Sequence, residues 1–220
     1  MKQLNDNVIS LTEDISYIPG TVNPISSDVV FIKCENSTFI FDTGLTKESA
    51  LAINKIEGIK NIVISHFHGD HILNLRRVKY DNLYLSSHTK KYTFKGSVIS
   101  EKTELAPGLF VLPLPSSHAK GSLILTYGDY AFMGDGTYCT YKKFHHVYNK
   151  NLLCDMILVM KNLNVKYFCL SHDKNFVQKK EDVIKIYEDI YARKVDDNSY
   201  INVDDFFKAD GSVNDKGFGL

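Results

Sequence analysis

Residues 66–71 read His66-Phe67-His68-Gly69-Asp70-His71, three imidazoles and a carboxylate crowded into six positions directly behind the apolar run Asn61-Ile62-Val63-Ile64. The chain holds only eight histidines in 220 residues, so this clustering is a strong constraint on what the fold must bring together. Ile62 to Ile64 reads as a buried strand, and in extended backbone residues two apart point the same way. His66 and His68 can therefore hold one cation together. A helix starting near Asp70, with Ile72, Leu73 and Leu75 as its apolar face, would put Asp70 and His71 at the first turn, aimed toward a second ion. Imidazole nitrogen and carboxylate oxygen without thiolate suit a catalytic zinc site that keeps a position open for water, and suit iron or manganese as well. Cys34, Cys139, Cys154 and Cys169 contain no Cys-x-x-Cys pair and read as reduced structural thiols.

Further ligands are expected where other strands end. Leu109-Phe110-Val111-Leu112-Pro113-Leu114-Pro115 leads into Ser116-Ser117-His118; Tyr130-Ala131-Phe132-Met133 ends in Gly134-Asp135-Gly136; Lys166-Tyr167-Phe168-Cys169-Leu170 ends in Ser171-His172-Asp173. Each polar residue follows a short apolar run beside a small residue that permits close backbone approach. Alone, a histidine after a strand is an ordinary hydrogen-bonding group and Gly-Asp-Gly an ordinary turn. Their order behind the histidine motif gives them weight.

In that order the chain resembles the metallo-β-lactamase-fold hydrolase superfamily, whose pattern is a strand ending in Asp-x-Gly, then His-x-His-x-Asp-His, a later His, a later Asp and a final His. Phe41-Asp42-Thr43-Gly44, residues 66–71, His118, Asp135 and His172 match these elements in turn, and the likeness spans about residues 15 to 175. The resemblance implies an α/β, four-layer αββα sandwich with ligands on loops along one edge. It implies that His66, His68 and His118 bind one metal, that Asp70, His71 and His172 bind another, and that Asp135 bridges them. Asp42 would orient the metal-binding loop without ligating. Asp135 stands where many true β-lactamases carry Cys, so the chain looks more like the thioesterase, lactonase and phosphodiesterase branches. The expected activity is that of a dinuclear-metal hydrolase, with zinc the first choice of ion. Two ions roughly 3.5–4 Å apart share a water and bring its pKa toward about 7, so a bridging hydroxide can cleave a thioester, lactone or related ester. Asp70 would accept a proton, and Tyr138, three residues after Asp135, resembles a lactonase tyrosine that hydrogen-bonds the substrate carbonyl. A glyoxalase II-like thioesterase normally has a C-terminal helical extension, whereas His172 is followed here by room for one helix and a tail. The stretch before His118 is short for a lactonase. The alternatives are a mononuclear-iron persulfide dioxygenase-like oxidoreductase, a phosphodiesterase, and a non-catalytic metal-dependent binding module.

A length of 220 residues fits a single hydrolase domain over 1–220. Lysine plus arginine equal aspartate plus glutamate at 26 each, leaving no general positive field to recruit nucleic acid, so the expected partner is a small-molecule substrate. The N-terminal residues lack a secretory pattern, and no run of about eighteen apolar residues occurs; a soluble, cytoplasmic protein without membrane contact is expected. Oligomeric state is open. Two strands, Asp28 to Lys33 and Thr38 to Phe41, flank a turn, and Thr46 caps a helix with Leu51, Ala52, Ile53 and Ile56 on one face. Helical spacing recurs over 152–163 and 183–191. Residues 141–148, rich in Lys, His and aromatics, could bind an anionic substrate or a thiol carrier, but read rather as an exposed boundary between loop and helix. His88 reads as structural. The tail is expected to pack a short element near Tyr200-Ile201 and Phe206-Phe207, with its last ten residues mobile.

Overall fold

The computed structural model describes residues 7–207; the expectation for the last ten residues lies outside them. Two large sheets face each other. The first has seven strands, in spatial order Ile9–Ser10, Ile15–Ile18, Val29–Cys34, Ser37–Phe41, Ile59–Val63, Asn82–Leu85 and Ser97–Val98, antiparallel up to Ser37–Phe41 and parallel thereafter. The second has six, Thr103–Ala106, Leu109–Pro113, Leu123–Tyr127, Tyr130–Phe132, Tyr167–Cys169 and Val177–Lys179, with only the Tyr130–Phe132 and Tyr167–Cys169 pair parallel.

The period of two in each strand explains the layering, because alternate side chains leave opposite faces of a sheet. Val30, Ile32, Phe39, Phe41 and Val63 from the first sheet meet Leu109, Val111, Leu123, Leu125 and Phe132 from the second in the central core. The intervening Val29, Phe31, Ile40 and Ile62 face outward onto the helix Lys47–Lys55, through Ala50, Ala52 and Ile53. Likewise Ile124, Ala131 and Phe168 face Lys150–Asn162 and Lys180–Ala192, whose Leu153, Met156, Met160, Val183, Tyr187 and Ile190 are buried. The result is the expected αββα sandwich.

The helix ends follow local rules. Thr46 accepts a hydrogen bond from the Ser49 N–H, and the Asn149 side chain accepts from Asn151 and Leu152 N–H groups. Some details depart from the sequence reading. Leu51 and Leu73 are exposed, since the first helix is covered on one side only and the turn after Asp70 is a four-residue helix, Gly69–Ile72, that passes into a 3-10 turn at Leu73–Arg76. Residues 141–148 are not a boundary between loop and helix but a hairpin, Thr140–Lys142 with His145–Asn149, and Tyr200–Asn202 pairs with it as a third strand. Non-local pairing with the tail decides that outcome, as β structure commonly does. The tail does form the expected short elements, the strand Tyr200–Asn202 and a 3-10 turn at Asp204–Phe206. No helix among the described residues is long and apolar enough to cross a membrane.

Candidate metal centre

Five strands deliver the site to one edge of the sandwich. Ser37–Phe41 and Ile59–Val63 run parallel and end at Asp42 and at Ser65-His66; in the second sheet Leu109–Pro113, Tyr130–Phe132 and Tyr167–Cys169 point the same way and lead to His118, Asp135 and His172. Gly134 lets the two halves close. Its φ is +52°, and a Cβ there would lie 2.7 Å from Ser65 Cβ, so only glycine fits where the second sheet meets the histidine loop.

Extended backbone at His68 followed by the short helix gives the two directions expected of the motif. The His66 and His68 rings lie 4.5 Å apart between centroids, and His118 lies 5.2 and 4.7 Å from them. His118 Nε2 is 3.0 Å from His68 Nδ1. On the other side, Asp70 Oδ2 lies 3.3 Å from His71 Nε2 and 3.1 Å from His172 Nε2. Asp135 reaches both groups: its Oδ2 is 3.9 Å from His66 Nε2, 3.5 Å from His118 Nε2 and 3.3 Å from His71 Nε2, and its Oδ1 is 3.7 Å from His172 Nε2. Thus His66, His68, His118 and Asp135 form one group, and Asp70, His71, Asp135 and His172 a second, each with its donor atoms within 4.8 Å of one another. Every residue singled out from sequence as a ligand falls in one of these groups.

The chemistry of the donors fits cations. His66 Nε2, His71 Nε2 and Asp135 Oδ1 are buried without a hydrogen-bond partner, an arrangement that is costly for polar atoms unless something else satisfies them. Burial, followed by the neighbouring His71, pushes His66 down to about 2, and burial lowers His68 and His118 too, so these three imidazoles have free lone pairs at neutral pH. Burial also opposes charge on His71, but the carboxylates of Asp135 and Asp42 outweigh it and raise its pKa well above the usual value. Burial would likewise raise Asp135, yet His71 holds it low; the hydrogen bond from His172 and the nearby charge of His71 do the same for Asp70 against its burial. Buried carboxylates that depend on a nearby positive charge are natural cation ligands. Asp70, His118 and His172 keep 15–21 % side-chain exposure, so the floor is closed and the mouth open to solvent.

Asp42 is buried behind this floor in a left-handed conformation, φ +60°. Its Oδ1 accepts the Ser65 N–H at 2.8 Å; its Oδ2 accepts the Ser65 hydroxyl at 2.7 Å and faces His71 Nδ1 at 2.7 Å. That contact fixes His71 with Nε2 turned to Asp70 and Asp135. Ser65, which sequence reasoning passed over, links Asp42 to the motif and also lies 3.0 Å from His66 Nδ1. Its place directly before His66 was the available signal. Tyr138 packs its ring edge-on against His118, 6.0 Å between centroids, with a buried hydroxyl that has no partner and a pKa raised by burial. His88 is half-buried and lies in neither group. The four thiols are unpaired.

This architecture has known counterparts. The family model of the metallo-beta-lactamase superfamily matches residues 22–82. No curated protein matches the chain in sequence. Among solved structures, the metallo-β-lactamase FIM-1 from Pseudomonas aeruginosa in its mono-zinc form is similar with a TM-score of 0.63 at 11 % identity, covering 87 % of this chain and 98 % of that one. The DIM-1 metallo-β-lactamase gives 0.62 at 13 %, covering 84 % and 96 %. A peroxy diiron species of the chemotaxis sensor ODP gives 0.62 at 17 %, covering 85 % and 94 %. The chain therefore has the metallo-β-lactamase fold.

Proposed function

We propose that this chain is a metal-dependent hydrolase that holds two divalent cations, zinc by preference, and cleaves a thioester, lactone or related ester of a small molecule. The observation that carries the reading is Asp135, one buried carboxylate within reach of both histidine groups and with an oxygen that no protein atom satisfies. His66, His68 and His118 would hold one ion and Asp70, His71 and His172 the other. Bound cations of this kind supply Lewis-acid polarisation of a carbonyl and activation of water at neutral pH.

The protein's own contribution is positional. Asp42 keeps His71 oriented, and three imidazoles held neutral leave their lone pairs free. Asp70, ionised and at the open mouth, accepts a proton from attacking water at a carboxylate oxygen. Tyr138, kept protonated by burial beside His118, donates to the substrate carbonyl oxygen, where negative charge develops, once substrate entry uncovers its unpartnered hydroxyl. Aspartate rather than cysteine at position 135 supports ester and thioester chemistry over antibiotic hydrolysis.

A second reading draws on the similarity to the diiron chemotaxis sensor: the same histidine and carboxylate donors suit iron, and the reaction would then involve dioxygen. Metal analysis of the native protein together with a panel of thioester, lactone and phosphodiester substrates tests the proposal. Two zinc per chain with turnover of a thioester or lactone is the expected outcome. Bound iron with no hydrolysis of any panel member would transfer the assignment to the second reading.

A further inference from the structure

Asp28, the residue that opens the strand Val29–Cys34, is a carboxylate with 7 % exposure and no role in either donor group. Its oxygens are fully engaged. Oδ2 accepts the backbone N–H of His172 at 3.0 Å and the Ser171 hydroxyl at 3.1 Å, and Oδ1 accepts the Gly20 N–H at 3.0 Å. Its own N–H donates to Ser171 Oγ at 3.3 Å. His172 has φ +63°, a left-handed conformation unfavourable for a residue bearing a Cβ, so its main chain needs outside support. Asp28 supplies a charged acceptor for that N–H across 144 positions of sequence.

The neighbouring residues act alike. The Ser27 N–H donates to the Asp70 carbonyl at 3.2 Å, and Thr43 donates to the His71 carbonyl from its N–H at 2.9 Å and its hydroxyl at 2.8 Å. Each of the three residues peculiar to the second group is therefore held by its main chain from outside. Gly20 closes the assembly at the base of the Thr21–Ser26 hairpin, because a Cβ there would lie 2.7 Å from the Ser26 carbonyl oxygen and 3.1 Å from Asp28 Oδ2.

We propose that Asp28 is a positioning residue for the second cation, fixing His172 opposite Asp70 and tying that ligand to the base of the Thr21–Ser26 hairpin. The proposal rests on the two-cation reading above. Affinity for the second ion then depends on a residue that never touches it, and on how closely the hairpin base sits against Asp28. Asparagine at position 28 keeps the size but has a single acceptor oxygen, so at least one of the bonds to Gly20, Ser171 and His172 is lost.

The test is titration of metal-free protein with zinc alone against a competing chelator, for wild type, Asp28→Asn and Gly20→Ala, alongside thermal unfolding of each metal-free protein. Wild type should take up two ions per chain. Asp28→Asn should weaken the second by about 10–100-fold, the range found for residues that support a metal ligand, and leave the first within about 2-fold. Gly20→Ala, which alters no atom bonded to His172, should produce the same selective loss in smaller measure, and it decides the matter if Asp28→Asn does not fold. Two ions bound by both variants as in wild type, or both ions weakened equally in step with a lower Tm, would overturn the proposal. Wild type binding fewer than two ions would instead remove the two-cation reading, and the proposal with it.

Discussion

Replacing Asp42 separates the contribution of the buried support behind the site from that of the ligands themselves. In Asp42→Ala three groups lose their acceptor: the Ser65 N–H, the Ser65 hydroxyl and His71 Nδ1. The hydroxyl can turn toward His66 Nδ1, 3.0 Å away, which leaves two buried donors stranded at about 1–3 kcal/mol each. Alanine must also hold the left-handed backbone of this position, φ +60°, at a further cost of about 1–2 kcal/mol. The expected loss is therefore about 5 kcal/mol, a large fraction of the 5–15 kcal/mol stability typical of a domain. Asp42→Asn tolerates the backbone and keeps one acceptor oxygen, so its loss should be smaller, about 1–3 kcal/mol. Urea unfolding of both variants and wild type, each with metal removed by chelator, measures the effect on the protein alone. A metal-free Asp42→Ala within 1 kcal/mol of wild type, or no less stable than Asp42→Asn, would refute the view that this carboxylate carries unshared buried hydrogen bonds.

Other consequences are equally direct. Tyr138→Phe removes a hydroxyl with no protein partner, so stability should hold while hydrolysis of a carbonyl substrate falls by about 100-fold; unchanged kinetics would leave Tyr138 a packing residue. Gly134→Ala should cost about 2–4 kcal/mol in chemical denaturation, from left-handed strain plus the 2.7 Å approach to Ser65 Cβ; a neutral variant would show that the edges can separate. Slight burial favours the protonated form of Asp204, but the His146 N–H, His145 and Asn202 outweigh it and hold its pKa below the usual 3.8. A carboxyl with a depressed folded pKa stabilises the fold above its unfolded pKa and ceases to do so as pH falls through the folded value. Asp204→Ala should thus be less stable than wild type near neutrality, with the gap closing below pH 3.8; a gap independent of pH would refute the role of that charge.

Much of the centre was legible in the chain because its parts are local. A strand followed by His66-Phe67-His68-Gly69-Asp70-His71 encodes both pointing directions, and His118, Asp135 and His172 each sit at the tip of an apolar run. Thr46 and the heptad-like spacing of Leu153, Met156 and Met160 likewise announced their helices. Less was legible where distant segments decide. Asp28 has no local signature, since its use comes from Ser171 and His172. The hairpin over 140–149 lacks the Asn-Gly signal of a two-residue turn, and instead Lys143 and Phe144 both take positive φ, 50° and 69°, held by pairing with Tyr200–Asn202. Leu51 and Leu73 are apolar yet exposed because periodicity records which residues can be buried, while the neighbouring elements decide which are.

The central claim is that seven side chains form two cation sites joined at Asp135. Its most direct test is the metal content, after equilibration with zinc and desalting, of wild type, His68→Ala and His172→Ala. Two ions per chain in wild type and one in each variant is the predicted result, and a wild type that retains fewer than two ions, or variants that retain both, would contradict it.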